Sequence, residues 1–261
     1  MKRTWPVLLG LLLLGAPAAV QAQFSYTTNA GAITITGYSG HGGAVTIPAS
    51  TNGHPVTSIG DEAFLNCTSL TNITIPNGVT NIGNSAFEAC TSLAGVTIPG
   101  SVTSIGQDAF AATSLTSVTI PGSVTSIGQD AFYGTDLASV YFKGNAPTAD
   151  SSVFLYDNNP TVYYLPGTTG WTNFSTNTGL SVVLWNPLIQ AGGTGFGVKS
   201  SQFGFNITGT ANIPVVVEAC TNLASPIWIP LQAMTLTNGL VHFSEPAQAN
   251  LSGRYYRLGS Q

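Results

Sequence analysis

The sequence predicts a mostly β protein: a solenoid of 22–23-residue units followed by a small antiparallel β-sandwich-like domain. Three observations carry this. The run Ile59-Gly60-Asp61-Glu62-Ala63-Phe64 returns as Ile82 to Phe87, Ile105 to Phe110 and Ile127 to Phe132, so the phenylalanines fall 23, 23 and 22 residues apart. A fixed pitch of this kind marks units that cannot bury their apolar side alone and stack on their neighbours. Within a unit, apolar and polar residues alternate briefly and then stop at a proline, the pattern of a short strand. Beyond Trp185-Asn186-Pro187 the pitch ceases, and apolar runs divided by turn residues take over.

Residues 1–22 read as a secretory signal peptide cleaved after Ala22. Lys2 and Arg3 give the charged start, Val7 to Leu14 the apolar stretch and Val20-Gln21-Ala22 the small-residue site. The apolar run is shorter than the ~20 residues a spanning helix needs, and no second candidate follows. No cysteine follows the cleavage site, so an exported, soluble chain without a lipid anchor is expected.

Residues 23–186 form the solenoid. Its first part, about 24–55, is expected to be an N-terminal cap. Ile33-Thr34-Ile35 and Val45-Thr46-Ile47 alternate around the segment Gly37 to Gly43, which reads as a hairpin. Clear repeats cover 56–142. In one unit Ile73 and Ile75 lie on one face of a short strand, Leu70 turns in from the bend before it, Pro76 stops the strand and Asn77-Gly78 turns the chain. The Ala-Phe pair then falls on the opposite side, where a single helical turn could fit. Degenerate units run over 143–186: Val162-Tyr163-Tyr164 follows Val140-Tyr141-Phe142 by 22 residues, and Phe154 follows Phe132 by 22. Val182-Val183-Leu184 is a candidate last strand. Bulky Tyr163, Tyr164 and Trp171 could cover the open end, so a chain truncated after Asn186 is expected to stay soluble and melt cooperatively.

The run L-x-x-[IV]-T-I-P-x-x-V-T-x-I-G-x-x-A-F resembles the BspA-like class of bacterial leucine-rich repeats, over roughly residues 56–142. That resemblance implies a leucine-rich-repeat horseshoe or straight solenoid on a secreted or surface protein, often an adhesin.

Residues 187–261 form the small C-terminal β domain. Candidate strands are Phe203 to Ile207, Ile213 to Glu218, Ile227 to Leu231, Leu240 to Phe243 and Tyr255 to Leu258, spaced as in a small sandwich. The stretches Val215 to Leu223 and Arg254 to Leu258 resemble short β-modules that recur at the C-termini of secreted bacterial proteins. A spacer or cap and an anchoring or sorting role are both compatible with this.

Charge narrows the partners. No lysine or arginine lies between Arg3 and Lys143, while the repeats carry Asp61, Glu62, Glu88, Asp108, Asp130 and Asp136. After removal of residues 1–22, four basic residues face ten acidic ones, a net charge of −6. Nucleic acid recognition needs cationic side chains that release counterions, so that partner class is excluded, and anionic membrane surfaces are disfavoured.

No catalytic or cofactor chemistry is legible. His41, His54 and His242 have no partners at metal-ligand spacing. Gly37 to Gly43 lies between strands and is no phosphate cradle. Glu62, Asp108 and Asp130 share one repeat position. Stacked, they could approach the roughly 5–10 Å of a glycosidase pair, but the position suits capping of a helical turn better. Cys67 and Cys90 also share a position. Stacked turns lie ~4.8 Å apart, inside the Cα window of a disulfide, although parallel side-chain vectors hold the Cβ atoms slightly too far apart without tilt. Two buried thiols and a disulfide are both open.

Strand alternation points Thr46, Thr74, Thr97 and Thr119 outward in one column, continued by Tyr141 and Tyr163. Asn72, Gly95, Ser117 and Ser139 form the second column. A flat, neutral, hydroxyl-rich face ending in aromatic residues suits an extracellular protein or carbohydrate ligand, although threonine also simply favours strand surfaces. A structural role through edge-to-edge self-association is the alternative, since sparse charge gives weak repulsion.

Overall fold

The structure, a computed structural model, describes residues 23–157, 159–247 and 253–259. The predicted signal peptide lies outside the described residues. The first element is an antiparallel hairpin of β1 (Phe24–Asn29) and β2 (Ala32–Tyr38), turned by Ala30 and Gly31 at φ 49° and 78°. β3 (Gly43–Thr46) does not pair with β2. A hairpin over Gly37 to Gly43 is therefore corrected: the glycines form a corner that carries the chain from one sheet of the solenoid to another. β4 (Ser50–Thr51) turns through Asn52-Gly53 onto β5 (His54–Ile59), and β5 pairs in parallel with β2.

From there the chain winds between one parallel ladder on one side and two successive parallel ladders on the other. On one side β5 continues into β7 (Asn81–Ile82), β9 (Ser104–Ile105) and β11 (Ser126–Ile127). On the other side β3 is followed by β6 (Leu70–Thr74) and β8 (Gly95–Thr97). After β8 the second ladder of this side runs through β10 (Ser117–Ile120), β12 (Ser139–Phe142), β13 (Thr161–Tyr164) and β14 (Val182–Leu184). Helix α1 (Trp171–Thr178) precedes β14 and buries Trp171 and Phe174 against Phe142, closing the last turn. Tyr164 stacks on Trp171 at 5.0 Å.

Inside, the repeat phenylalanines form one stack. Phe64, Phe87, Phe110, Phe132 and Phe154 lie 4.9, 5.1, 5.3 and 5.5 Å apart between centroids, and the first four are essentially inaccessible. Burying an aromatic ring of this size removes ~150–250 Å² from water, which is the main reason the units stack.

No helical turn forms around these rings. Glu62, Ser85, Asp108 and Asp130 adopt φ 57°, 50°, 53° and 54°, and the N–H groups of the first three donate to carbonyl oxygens of the next turn, Asn84, Gln107 and Gln129. The predicted capping role of Glu62, Asp108 and Asp130 is thus replaced by a left-handed corner. The corner's backbone groups bond between turns, so no orphan helix donors remain to cap.

Asp157 gives the stack a pH dependence of unusual sign. Burial pushes its carboxyl up to about 6; hydrogen bonds from Thr135 oppose this and nearby Asp136 reinforces it. In the unfolded chain the group returns to about 3.9. Between those values the folded state holds a proton that the unfolded state has released, so stability falls as pH rises through the window and is flat above it. After discounting for its partial exposure, the cost from pH 4 to pH 7 is about 1 kcal/mol. Urea titrations at both pH values should show wild type losing that amount relative to Asp157→Asn; parallel losses would refute the assignment.

The C-terminal module holds two antiparallel sheets. β15 (Leu188–Gln190), β16 (Gly197–Lys199) and β17 (Gln202–Thr208) belong to one. β18 (Pro214–Cys220) and β19 (Ile229–Thr235) belong to the other, β20 (Leu240–Pro246) returns to β17, and β21 (Tyr255–Gly259) pairs with β18. β21 is fixed by a polar cluster: Arg254 donates twice to Glu245, at 2.6 and 2.8 Å, and the Tyr256 hydroxyl donates to the same carboxylate.

Candidate functional site

The strand registers align the predicted column in two stretches, one in each of the two successive ladders. Thr46 pairs with Thr74 and Thr74 with Thr97, then Thr119 pairs with Tyr141, Tyr141 with Tyr163 and Tyr163 with Val183. The second column follows the same ladders through Asn72–Gly95 and Ser117–Ser139. Thr46, Thr74, Thr97 and Asn72 are exposed, and Thr119 is half-buried.

The two tyrosines are not exposed. Tyr141 keeps 4 % and Tyr163 8 % of its surface, which corrects their reading as solvent-facing anchors. Their rings stack at 4.9 Å, Trp185 packs edge-on to Tyr141 at 6.4 Å, and both tyrosines share a core with Phe205, Ile207, Val215, Val217, Leu236 and Phe243 of the module. They point to the outward face of the strands, but the module lies on that part of the face. Two large rings at the end of a threonine column supply the apolar area that such docking buries. The solenoid face is thereby divided, with the threonines open and the tyrosines covered.

A cleft of about 350 Å³ opens along this seam. Tyr141, Phe142, Lys143, Tyr163, Leu165 and Trp185 line it from the solenoid, and Glu218, Arg257, Leu258 and Gly259 from the module. Arg257 donates from Nε to Glu218, and its guanidinium lies 4.5 Å from the Trp228 ring centroid. Trp185 Nε1 donates to the Pro214 carbonyl at 2.8 Å, and Asn186 Oδ1 accepts from the Thr210 N–H at 2.8 Å and its hydroxyl at 2.7 Å. Burial raises the Tyr163 hydroxyl above the ordinary tyrosine range. The cleft therefore joins aromatic surface to one cation–anion pair and the Lys143 ammonium, a lining that suits a polar ligand with a flat apolar side. Sequence reading missed Lys143, Trp185, Glu218 and Arg257, because only docking of the module brings them together.

Among the described residues no group of three His, Cys, Asp or Glu side chains is placed to hold a metal ion. His41, His54 and His242 are exposed, and His242 Nδ1 lies 2.8 Å from Asn206 Oδ1. In the structure Cys67, Cys90 and Cys220 are free thiols. Cys90 is buried and its Sγ donates to the Phe64 carbonyl at 3.1 Å. Burial pushes that thiol up to about 12, with Cys67 adding to the rise. A group so disfavoured as thiolate is a poor nucleophile.

Residues 44–161 match the BspA type leucine rich repeat region in six copies. The repeat region belongs to this family. Among solved structures, similarity reaches a T. pallidum leucine rich repeat protein, with 25 % identity over 62 % of this chain and 96 % of that one, at TM-score 0.42. A leucine-rich repeat protein of Bacteroides ovatus is 29 % identical over 54 % of this chain and 39 % of its own, at TM-score 0.43. One of Bacteroides capillosus is 33 % identical over 47 % of this chain and 95 % of its own, at TM-score 0.42. No curated protein matches the sequence.

Proposed function

We propose that this chain is a secreted, non-catalytic binding protein that holds an extracellular protein or carbohydrate ligand on the open part of its BspA-type strand face, at Thr46, Thr74, Thr97 and Thr119. The observation that carries the reading is the threonine column, held in register from Thr46 through Thr74 to Thr97, with Thr119 beginning the next ladder, on which the C-terminal module lies. Hydroxyls held at strand spacing on a rigid stack offer donors and acceptors without ordering cost, and the seam cleft adds a charged boundary. Export is supported by the leader-like residues 1–22, and no helix among the described residues is long and apolar enough to cross a membrane.

The test is binding of the exported chain to extracellular matrix proteins and to a glycan array. A double variant, Thr74→Arg with Thr97→Arg, places two large cations on the exposed face without touching the core. Loss of at least tenfold in affinity is expected, since like a misplaced interface charge it costs about 1.4 kcal/mol or more. An unchanged affinity would remove the face from consideration.

Self-association is favoured by a different observation. Leu223, Ile227 and Ile229 of the module are 53 %, 77 % and 59 % exposed, an apolar surface that a second copy could cover. Sedimentation over a range of concentrations decides this, and a strict monomer at high concentration eliminates it.

A further inference from the structure

We propose that the corner carrying Tyr133, Tyr156, Asp136 and Asp157 is a second binding site, apart from the strand face, and that it takes a neutral carbohydrate chain. The decisive residue is Tyr156. Every repeat bends at one left-handed position after its phenylalanine, occupied in turn by Asn66, Ala89, Ala112 and Gly134 at φ 59°, 55°, 54° and 63°. The same bend in the next unit holds Tyr156 at φ 62°, a conformation that a bulky side chain resists and glycine accepts freely. Nothing in the packing compensates, because the side chain is 75 % exposed. Its ring meets Tyr133, 38 % exposed, at 5.2 Å and an interplanar angle of 75°, with Leu155 exposed beside them. Backbone strain retained for an exposed aromatic residue points to a role outside folding.

The surroundings select the ligand. Asp136 is exposed beside the rings, while Asp157 is held beneath them: its Oδ1 accepts from Thr135 and its Oδ2 is buried. Among the described residues the ion pairs are Arg254–Glu245 and Arg257–Glu218, so no cation neutralises these two carboxylates. The corner thus offers apolar ring surface and the exposed Asp136 carboxylate as hydrogen-bond acceptor, with negative charge. A sugar supplies the complement, C–H faces for the rings and hydroxyl donors for the acceptors, whereas a uronate chain would be repelled. Two rings are too little surface for a stable protein interface, which needs about 800 Å² per partner.

Calorimetry of the full exported chain with chitohexaose, cellohexaose, mannohexaose and polygalacturonate tests this. At least one neutral hexasaccharide is expected to bind and polygalacturonate is not. Tyr156→Gly should weaken that binding by about tenfold or more while leaving the melting temperature unchanged or raised. Thr74→Arg with Thr97→Arg should leave it intact, which separates this site from the strand face. The proposal falls if no neutral hexasaccharide binds, if only polygalacturonate binds, or if Tyr156→Gly binds as wild type. It falls equally if Tyr156→Gly lowers the melting temperature, or if the strand-face variant abolishes sugar binding.

Discussion

Truncation after Asn186 is expected to yield a chain that still melts cooperatively but self-associates. The sequence alone argues for a soluble product, because bulky Tyr163, Tyr164 and Trp171 could cover the open end; in the structure Tyr164, Trp171 and α1 do close the last turn. Tyr163 belongs to a different surface. It lies with Tyr141 under the module, in a core that also draws on Val183 and Trp185. Removing residues 187–261 uncovers these side chains together, and the two tyrosine rings alone amount to roughly 300 Å² or more. Trp185 and Asn186 also lose their partners Pro214 and Thr210. A patch of that size on a monomer promotes association. Gel filtration of residues 23–186 should show oligomers, and Tyr141→Thr with Tyr163→Thr, which extends the threonine column, should return the fragment to a monomer. A monomeric fragment without those changes would show that the module contributes little to the solenoid.

Gly106→Ala is expected to destabilise the protein by about 3 kcal/mol or more, a fall in melting temperature of roughly 10 °C. A β-carbon at Gly106 would sit 2.6 Å from the Gly83 carbonyl carbon, and 2.7 Å from Asn84 N and Gly83 O. All three are backbone atoms. They cannot move aside without stretching the ladder in which Gly106 N–H donates to Ile82 O at 2.9 Å. Gly83 and Gly128 face the turn before them in the same way. Gly100 is the control, because nothing lies within 4 Å of its β-carbon position. Thermal melts of Gly106→Ala and Gly100→Ala should therefore diverge; equal melting temperatures would mean that the turns are less tightly seated than described.

The repeat made the architecture readable because each unit states its own strand, its stop and its buried phenylalanine. The column Thr46–Thr74–Thr97 followed from strand alternation and the fixed pitch, and the registers agree with it. Corners were harder. Glu62, Asp108 and Asp130 look like helix caps in one dimension, since sequence does not show that their backbone donors bond to the next turn. Gly37 to Gly43 looked like a hairpin loop because β1, the true partner of β2, carries too few apolar residues to announce itself. In the module, β15 and β16 are three residues each, too short for periodicity to register. The seam was invisible for another reason: alternation fixes which face a side chain takes, and nothing local says what later folds over that face.

The module divides the strand face, leaving Thr46, Thr74 and Thr97 open and Tyr141 and Tyr163 covered. Tyrosine-selective chemical labelling of the native chain, followed by peptide mass spectrometry, tests it most directly. Tyr156, Tyr255 and Tyr133, at 75 %, 42 % and 38 % exposure, should be modified, while Tyr141 and Tyr163 remain unmodified until the protein unfolds. Labelling of Tyr141 and Tyr163 in the native protein as fast as Tyr156 would contradict the account.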